Sequence, residues 1–431
     1  MVWGMWGPYH CSRFEAFRKL AEHEGHQAVG VSLFSGSSAY QWGAGRLPQS
    51  VVHFDLGRDE TKFPFTRISR LLAVPWKLRP AVALLPAYDH WSVALNAATR
   101  LVGGRVVMMN ESHAGTARAR RFKASLKRLI VANFHAGFVG GKPQRRYFAS
   151  LGLSAGKIYT GYDAIDNEYF SHRTLEIKNQ APDFRARYQL PEHYFLSLGR
   201  FVAKKNLPTL LQAYRKFLDA SRLKRTHLVM VGYGEEETNL RSLCAQLKLQ
   251  IQDHKPSEPA NTATSAPQTP QVHFYGFRPI DENPVFYALA DAFILPSLYE
   301  EWGLVVNEAM ACGLPVIVSN TLGCVEDLLA PERLTVPTGL PDSVCSCLTQ
   351  LGADTRENGF LFDPGSTQSL ANALTVLEAA PEIGDNMGKA SLRIIGQFSL
   401  ENFAANALLA AKAALGTTDP LQFKPAAANR L

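Results

Sequence analysis

The chain has 431 residues, 46% hydrophobic and 19% charged, which makes two domains the default and leaves enough apolar content for ordinary cores without a disulfide staple. Its 45 Lys+Arg exceed 38 Asp+Glu, but unevenly: residues 1–190 hold 26 basic against 13 acidic side chains, net +13, and residues 191–431 hold 19 against 25, net −6. A basic half beside an acidic half points to an anionic partner for one domain, such as nucleic acid, a membrane surface or a phosphorylated substrate. No apolar run approaches the roughly 18 residues that span a bilayer, and residues 1–10 lack the charged and apolar regions of a leader, so a cytoplasmic protein is expected, or one peripheral on the inner face of a membrane.

Along the chain, short apolar runs alternate with helical spacing, the signature of βαβ units around parallel sheets. The opening is unusual, because only residues 1–6 precede the turn Gly7-Pro8; either the first strand is very short or the chain continues upstream. Helical spacing follows over 14–24, then strands are expected at 29–34, 81–85 and 106–109, with a helix over 91–101. No apolar period is sustained over 173–187, which places the join between domains there. Strands resume at 194–198, 227–231, 272–275, 292–295 and 315–319. Residues 254–271 are rich in Pro, Thr, Ser and Ala and are expected to be disordered, while 330–355 is a second insertion without a legible purpose. The expected organisation is therefore an α/β chain of two doubly wound, Rossmann-like domains: an N-terminal domain over 1–175, a C-terminal domain over 190–398, an Ala-rich helix over 399–415 returning to the N-terminal domain, and a tail over 416–431.

The six cysteines are too sparse for a disulfide framework, and Cys345 and Cys347, one residue apart with no His nearby, do not have zinc-knuckle spacing; no metal site is expected. The densest chemical signal runs from Pro296 to Ser319. Glu300, Glu301 and Trp302 lie on a loop after a strand, and a helix starting near Gly303 carries Glu308 about two turns along. The backbone N–H groups of Gly303, Leu304 and Val305 would be the orphan donors of that helix start, suited to phosphate, with carboxylates for sugar hydroxyls on either side. A solvated acidic loop followed by a helix with one buried Glu is the plainer reading of the same spacing. The second signal is Gly199-Arg200 with Lys204 and Lys205 one loop later. A planar guanidinium and a movable ammonium at a strand end suit a pyrophosphate, whereas Lys204 is expected to be a surface cation. Gly232-Tyr233-Gly234 lacks the third glycine of a dinucleotide fingerprint, since position 237 is Glu. Arg118, Arg120, Arg121, Lys123, Lys127 and Arg128 cluster with Phe122 as the only aromatic among them. They form a solvated face, a membrane-facing surface or a site for an anionic acceptor, and nucleic acid is not expected as a partner.

Glu300 to Glu308, followed by Ala309-Met310-Ala311-Cys312-Gly313-Leu314-Pro315-Val316, resembles the Glu-x7-Glu motif of the retaining, nucleotide-sugar-dependent glycosyltransferases of the GT-B fold, specifically glycosyltransferase family 4, the "glycosyl transferases group 1" domain. Family members usually carry Phe where this chain has Trp302. The resemblance implies two Rossmann-like domains facing a central cleft. It gives Glu300 to the donor sugar hydroxyls, Glu308 to the ribose, and Arg200 and Lys205 to the donor diphosphate. Gly232 and Gly234 would lie near the nucleotide, and Tyr275, Gly276 and Phe277 beside the base. Glu326 and the run Asn358 to Phe362 complete the family's ending pattern over roughly 190–415. In the first half, Gly7 would face the donor phosphate, and His113 is either a contact to the donor sugar or an ordinary loop histidine; Tyr162 to Asn167 resembles the segment closing the first domain and is assigned to a hinge. The implied activity is metal-independent, retaining sugar transfer from a nucleotide-diphosphate sugar, without a further cofactor, to a carbohydrate, lipid-linked or phosphorylated acceptor in polysaccharide or glycoconjugate synthesis. The chain holds no Asp-x-Asp, which fits metal independence. Two rival readings keep the architecture: a degenerate scaffold that binds nucleotide or a membrane surface, supported by the short first strand, and a GT-B-like nucleotide-sugar epimerase, which lacks this Glu pair.

Overall fold

The structure is a computed structural model that describes residues 1–36, 47–59, 65–116, 121–254, 269 and 271–416. Most of the stretch 254–271, the tail beyond Gly416, and Arg118 and Arg120 lie outside the described residues, as do the side chains of Arg121, Phe122 and Lys123. The chain divides into two units, residues 1–166 with 397 onward, and residues 167–396.

In the first unit the strands are β1 (Val2–Trp3), β2 (Gly30–Ser32), β3 (Val51–His53), β4 (Val82–Pro86), β5 (Arg105–Asn110), β6 (Ala136–Val139) and β7 (Ile158–Thr160). They form a parallel sheet in the order β1-β2-β3 and another in the order β4-β5-β6-β7, with β1 lying against β4. The two-residue first strand is built into this unit. Val2 pairs with Val31 and Trp3 with Ser32, the Met1 amino group donates to the Val29 carbonyl at 2.8 Å, and Trp3 and Trp6 are buried edge-to-face at 4.9 Å.

The helix Leu400–Leu415 belongs to this unit. Its ends are well marked: Ser399 accepts from the Asn402 N–H, Glu401 and Lys412 sit in the first and last turns in the order that suits the helix dipole, and Gly416 closes it in the left-handed conformation. Ala404, Ala407, Ala410 and Ala414 give it a smooth buried stripe that packs against the helix Pro8–His23 and strands β4 to β7. Phe403 is the aromatic side chain on that face, 5.0 Å from Phe138 and 6.2 Å from Tyr162.

The second unit has one eight-stranded sheet from β8 (Tyr194–Leu198), β9 (His227–Val231), β10 (Ile251–Asp253), β11 (Val272–Phe274), β12 (Ala292–Leu295), β13 (Val316–Ser319), β14 (Thr355–Arg356) and β15 (Gly359–Phe362), ordered β10-β11-β9-β8-β12-β13-β15-β14. All pairings are parallel except β14 with β15. The strand residues are buried nearly throughout, as expected of a parallel sheet covered on both faces.

Two expectations need correction. The join lies between Asp166 and Asn167, not within 173–187, where the helices Asn167–Asn179 and Ala181–Tyr188 stand instead. Phe170, Thr174 and Ile177 form the buried stripe of the first of these, and the polar member in its middle hides the helical period. Residues 330–355 are likewise more than a loop. They contain the helix Asp342–Leu351, whose Val344, Leu348 and Leu351 enter the core of the second unit. Because Phe403 is fully buried, Phe403→Ala is expected to cost about 3–5 kcal/mol, read as a shift of the urea unfolding transition.

Candidate functional site

Strands β8 and β12 are adjacent and parallel, so the loops that follow them emerge side by side at the carboxyl edge of the sheet. After β8 come Gly199, the half-buried Arg200 and a single turn, Ala203–Lys205. Asn206, in the left-handed conformation, ends that turn and donates from its side-chain amide to the carbonyls of Pro296 (3.1 Å) and Pro364 (2.8 Å), while the Leu298 N–H donates to the Lys204 carbonyl at 2.8 Å. The two loops are thereby tied through main chain before any functional group is considered.

Glu300 stands in the β12 loop and is only 6% exposed. Its Oε1 accepts from the Ser297 hydroxyl at 2.8 Å and pairs with the Lys205 ammonium at 2.7 Å, and its Oε2 pairs with Lys204 at 3.0 Å. Lys204 also reaches Glu301 at 3.3 Å and lies 5.6 Å above the Tyr299 ring. Burial alone would raise the Glu300 carboxyl, but Lys205 and then Lys204 outweigh it and hold the group below its ordinary value. For Lys204 burial works downward, and Glu300 overcomes it to raise the ammonium. Lys204 is therefore not the surface cation that its place beside Lys205 suggested. A one-residue step along a tight turn leaves both ammonium groups within reach of the same carboxylate.

Downstream, Trp302 is buried and donates from its indole to Asn307 Oδ1 at 2.9 Å, which fixes the entry into the helix Leu304–Ala311. The Val306 N–H is taken by the Gly303 carbonyl at 2.8 Å, whereas the N–H groups of Gly303, Leu304 and Val305 meet no acceptor among the described residues. Glu308, one turn further, is buried and accepts from the Asn283 amide at 3.3 Å. Glu300, Lys204, Lys205 and the helix start thus lie along one stretch of the second unit's sheet edge, with Glu308 inside the helix behind it.

The glycines after β9 have a structural explanation. A Cβ on Gly232 would sit 1.9 Å from the Gly199 carbonyl oxygen, and one on Gly234 2.2 Å from that of Phe201. The β8 and β9 loops are laced together here, Gly199 N–H to Val231 O at 2.9 Å and Phe201 N–H to Tyr233 O at 2.7 Å. Contact between two loops of the chain is enough to account for the missing side chains, and the effect is to set the position of Arg200. Tyr275, expected beside a base, is buried. Its ring stacks on His254 at 4.1 Å, its hydroxyl donates to the Gln189 carbonyl at 2.9 Å, and the Gly276 carbonyl accepts from Gly232. Of that trio only Phe277 presents an exposed ring, packed edge-to-face on Tyr233 at 5.5 Å.

The remaining expected residues belong to the first unit. Gly7 caps the helix Pro8–His23, and its N–H donates to His10 Nδ1 at 3.0 Å; burial and then Arg13 bring the His10 imidazole down to about 3, so it is neutral. His113, buried in the loop after β5, accepts on Nδ1 from the Gly115 N–H at 3.2 Å, which leaves the ring proton on Nε2. In the segment Tyr162 to Asn167, assigned to a hinge, Asp166 and Asn167 do mark the division between the units, while Tyr162 and Asp163 are core of the first unit. Trp3 donates to the Tyr162 hydroxyl at 2.9 Å, and buried Arg13 lies 5.0 Å over the Tyr162 ring, donates to the Ala164 carbonyl at 2.8 Å and approaches Asp163 at 3.6 Å. Burial and then Glu111 push the Asp163 carboxyl well above its ordinary value, in spite of Arg13. Sequence reasoning passed over Arg13, Ser297 and Asn283. A charged residue on the buried stripe of a helix and a serine three before a glutamate carry no distinctive pattern.

Because Glu300 is held low only in the folded chain, its pairing contributes stability that is complete above the ordinary value of 4.5 and is lost as pH falls through the lower folded value. The stability difference between the native chain and Glu300→Gln, measured by urea denaturation at stepped pH, is therefore expected to be flat above about pH 5.5 and to shrink below 4.5.

Residues 192–380 match the family described as Glycosyl transferases group 1. The O-antigen chain mannosyltransferase B of Escherichia coli is 32% identical over 142 residues, 32% of this chain and 32% of that protein. The chain spans less than half the length of this and the other curated relatives it matches first. Among solved structures, a glycosyltransferase from Rickettsia africae ESF-5 superposes with a TM-score of 0.66 at 13% identity, covering 97% of this chain and 98% of that one. Anabaena HepE in complex with UDP-glucose superposes at 0.62 and 15% identity, covering 96% and 98%. The chain therefore has the GT-B fold, and its residues 192–380, just under half of it, are similar to the glycosyl transferases group 1 family.

Proposed function

We propose that the protein is a glycosyltransferase that moves a sugar from a nucleotide-diphosphate sugar to an acceptor hydroxyl in glycoconjugate or polysaccharide synthesis. The observation that carries this reading is the Glu300 carboxylate, buried, ionised and flanked by Lys204, Lys205 and the helix start at Gly303 to Val305. An oriented carboxylate accepts sugar hydroxyls. The Lys205 ammonium and the unmatched backbone N–H groups beside it complement a diphosphate and the charge that grows on it as the glycosidic bond breaks. The relatives support the same chemistry, since one is a mannosyltransferase by name and one structural neighbour was solved with UDP-glucose.

In this reading Lys205 and Arg200 bind the diphosphate, Glu308 holds the ribose, and Phe277 lies beside the base. The bond from the sugar's anomeric carbon to the phosphate oxygen breaks, the bond to the acceptor oxygen forms on the same face, and the acceptor's proton passes to the leaving phosphate. No cofactor besides the donor is required. The acceptor is carbohydrate, lipid-linked or phosphorylated, and the surplus of basic residues in the first half suits an anionic acceptor or the inner face of a membrane that bears it. The scaffold and epimerase alternatives are not favoured. The scaffold reading drew on the short first strand, which is paired and packed, and the named relatives are transferases.

Glu300→Gln and Arg200→Ala are each expected to lower kcat/KM for donor turnover by about 100-fold or more, measured with UDP-glucose and GDP-mannose as donors. Near-native turnover in both variants would sink the assignment.

A further inference from the structure

Two ammonium groups share one carboxylate in the second unit, and they are not equivalent. Lys205 meets Glu300 Oε1 at 2.7 Å, on the oxygen that Ser297 also serves. Lys204 meets Oε2 at 3.0 Å and is held on the β12 loop independently of it: by Glu301 at 3.3 Å, by the Tyr299 ring at 5.6 Å, and through its own carbonyl by the Leu298 N–H at 2.8 Å.

On the reading of the site as a nucleotide-sugar site, the geometry points to Lys204 as the positioning residue that keeps Glu300 aimed at the donor's sugar hydroxyls when Lys205 turns to the diphosphate. A diphosphate carries more charge than a single carboxylate and competes for Lys205, so donor binding weakens the contact on Oε1. A carboxylate this buried is strongly disfavoured once a cation leaves it, unless another stays. Lys204 is that other cation. Its ties to Glu301, Tyr299 and Leu298 anchor it to the loop that carries Glu300, not to the phosphate side of the site. The two neighbouring lysines thereby divide the donor between them, Lys205 taking the phosphates and Lys204 securing the carboxylate that reads the sugar.

Calorimetric titration of the full chain with UDP, UDP-glucose, GDP and GDP-mannose, alongside donor turnover, tests this division in Lys204→Met, Lys204→Arg and Lys205→Met. In Lys204→Met the nucleotide-sugar affinity and kcat/KM are expected to fall about 10- to 30-fold, the worth of a charge-assisted hydrogen bond, while the matching nucleoside diphosphate binds within about twofold of the native chain. Unchanged diphosphate binding also shows that the loop remains folded. Lys204→Arg restores most of the loss, and Lys205→Met weakens both ligands. Equal losses for diphosphate and nucleotide sugar in Lys204→Met would make Lys204 a second phosphate cation and overturn the inference, as would no loss for either. A native chain that binds neither pair overturns the nucleotide-sugar reading, and this inference with it.

Discussion

A carboxylate removed from water must be met by positive charge or give up its own, and the second unit is organised around meeting that demand at Glu300. The cations come from a turn 96 residues earlier in the chain, and they arrive because β8 and β12 are parallel neighbours in the sheet and release their loops at the same edge. The hydrogen bonds of Asn206 and Leu298 fix the separation of those loops. Only then can two flexible lysine chains converge on one group at modest entropic cost. The glycines at 232 and 234 belong to the same scheme one strand further along, since any side chain there would push the β9 loop off the loop that bears Arg200.

The first unit meets a similar constraint with the charges reversed in number. One buried guanidinium, Arg13, faces Asp163, and burial with the repulsion of Glu111 holds the Asp163 carboxyl well above its ordinary value in spite of that cation. The ring of Tyr162 beneath Arg13, and Phe403 beyond it, come from distant parts of the chain, so the helix Leu400–Leu415 is part of the wall of this buried array and not an appendage.

Much of the fold was legible because parallel strands buried on both faces read as short apolar runs, and the five expected in the second half match β8, β9, β11, β12 and β13 closely. What stayed hidden was structure with weak or interrupted periodicity. The edge strands β3, β10 and β14, and the helix with Thr174 in its buried stripe, lack the sustained pattern that marks an element. In the site, Glu300, Glu308, Arg200 and Lys205 were visible through one dense motif and one basic pair. Lys204, Ser297 and Asn283 were not, because their roles depend on which oxygen of which carboxylate they reach.

The sequence by itself determined the class of the fold, the alternation of strands and helices, and the residue types offered at each strand end, because those follow from hydrophobic period and from local turn chemistry. Tertiary structure alone decided which of those residues act together. Strand order makes Gly199 and Pro296 neighbours, burial turns Glu300 from a loop acid into an ion-paired carboxylate, and loop-to-loop packing takes Tyr275 out of reach while leaving Phe277 exposed. Proximity across a sheet and removal from water are properties of the folded chain as a whole, and no window of sequence contains them.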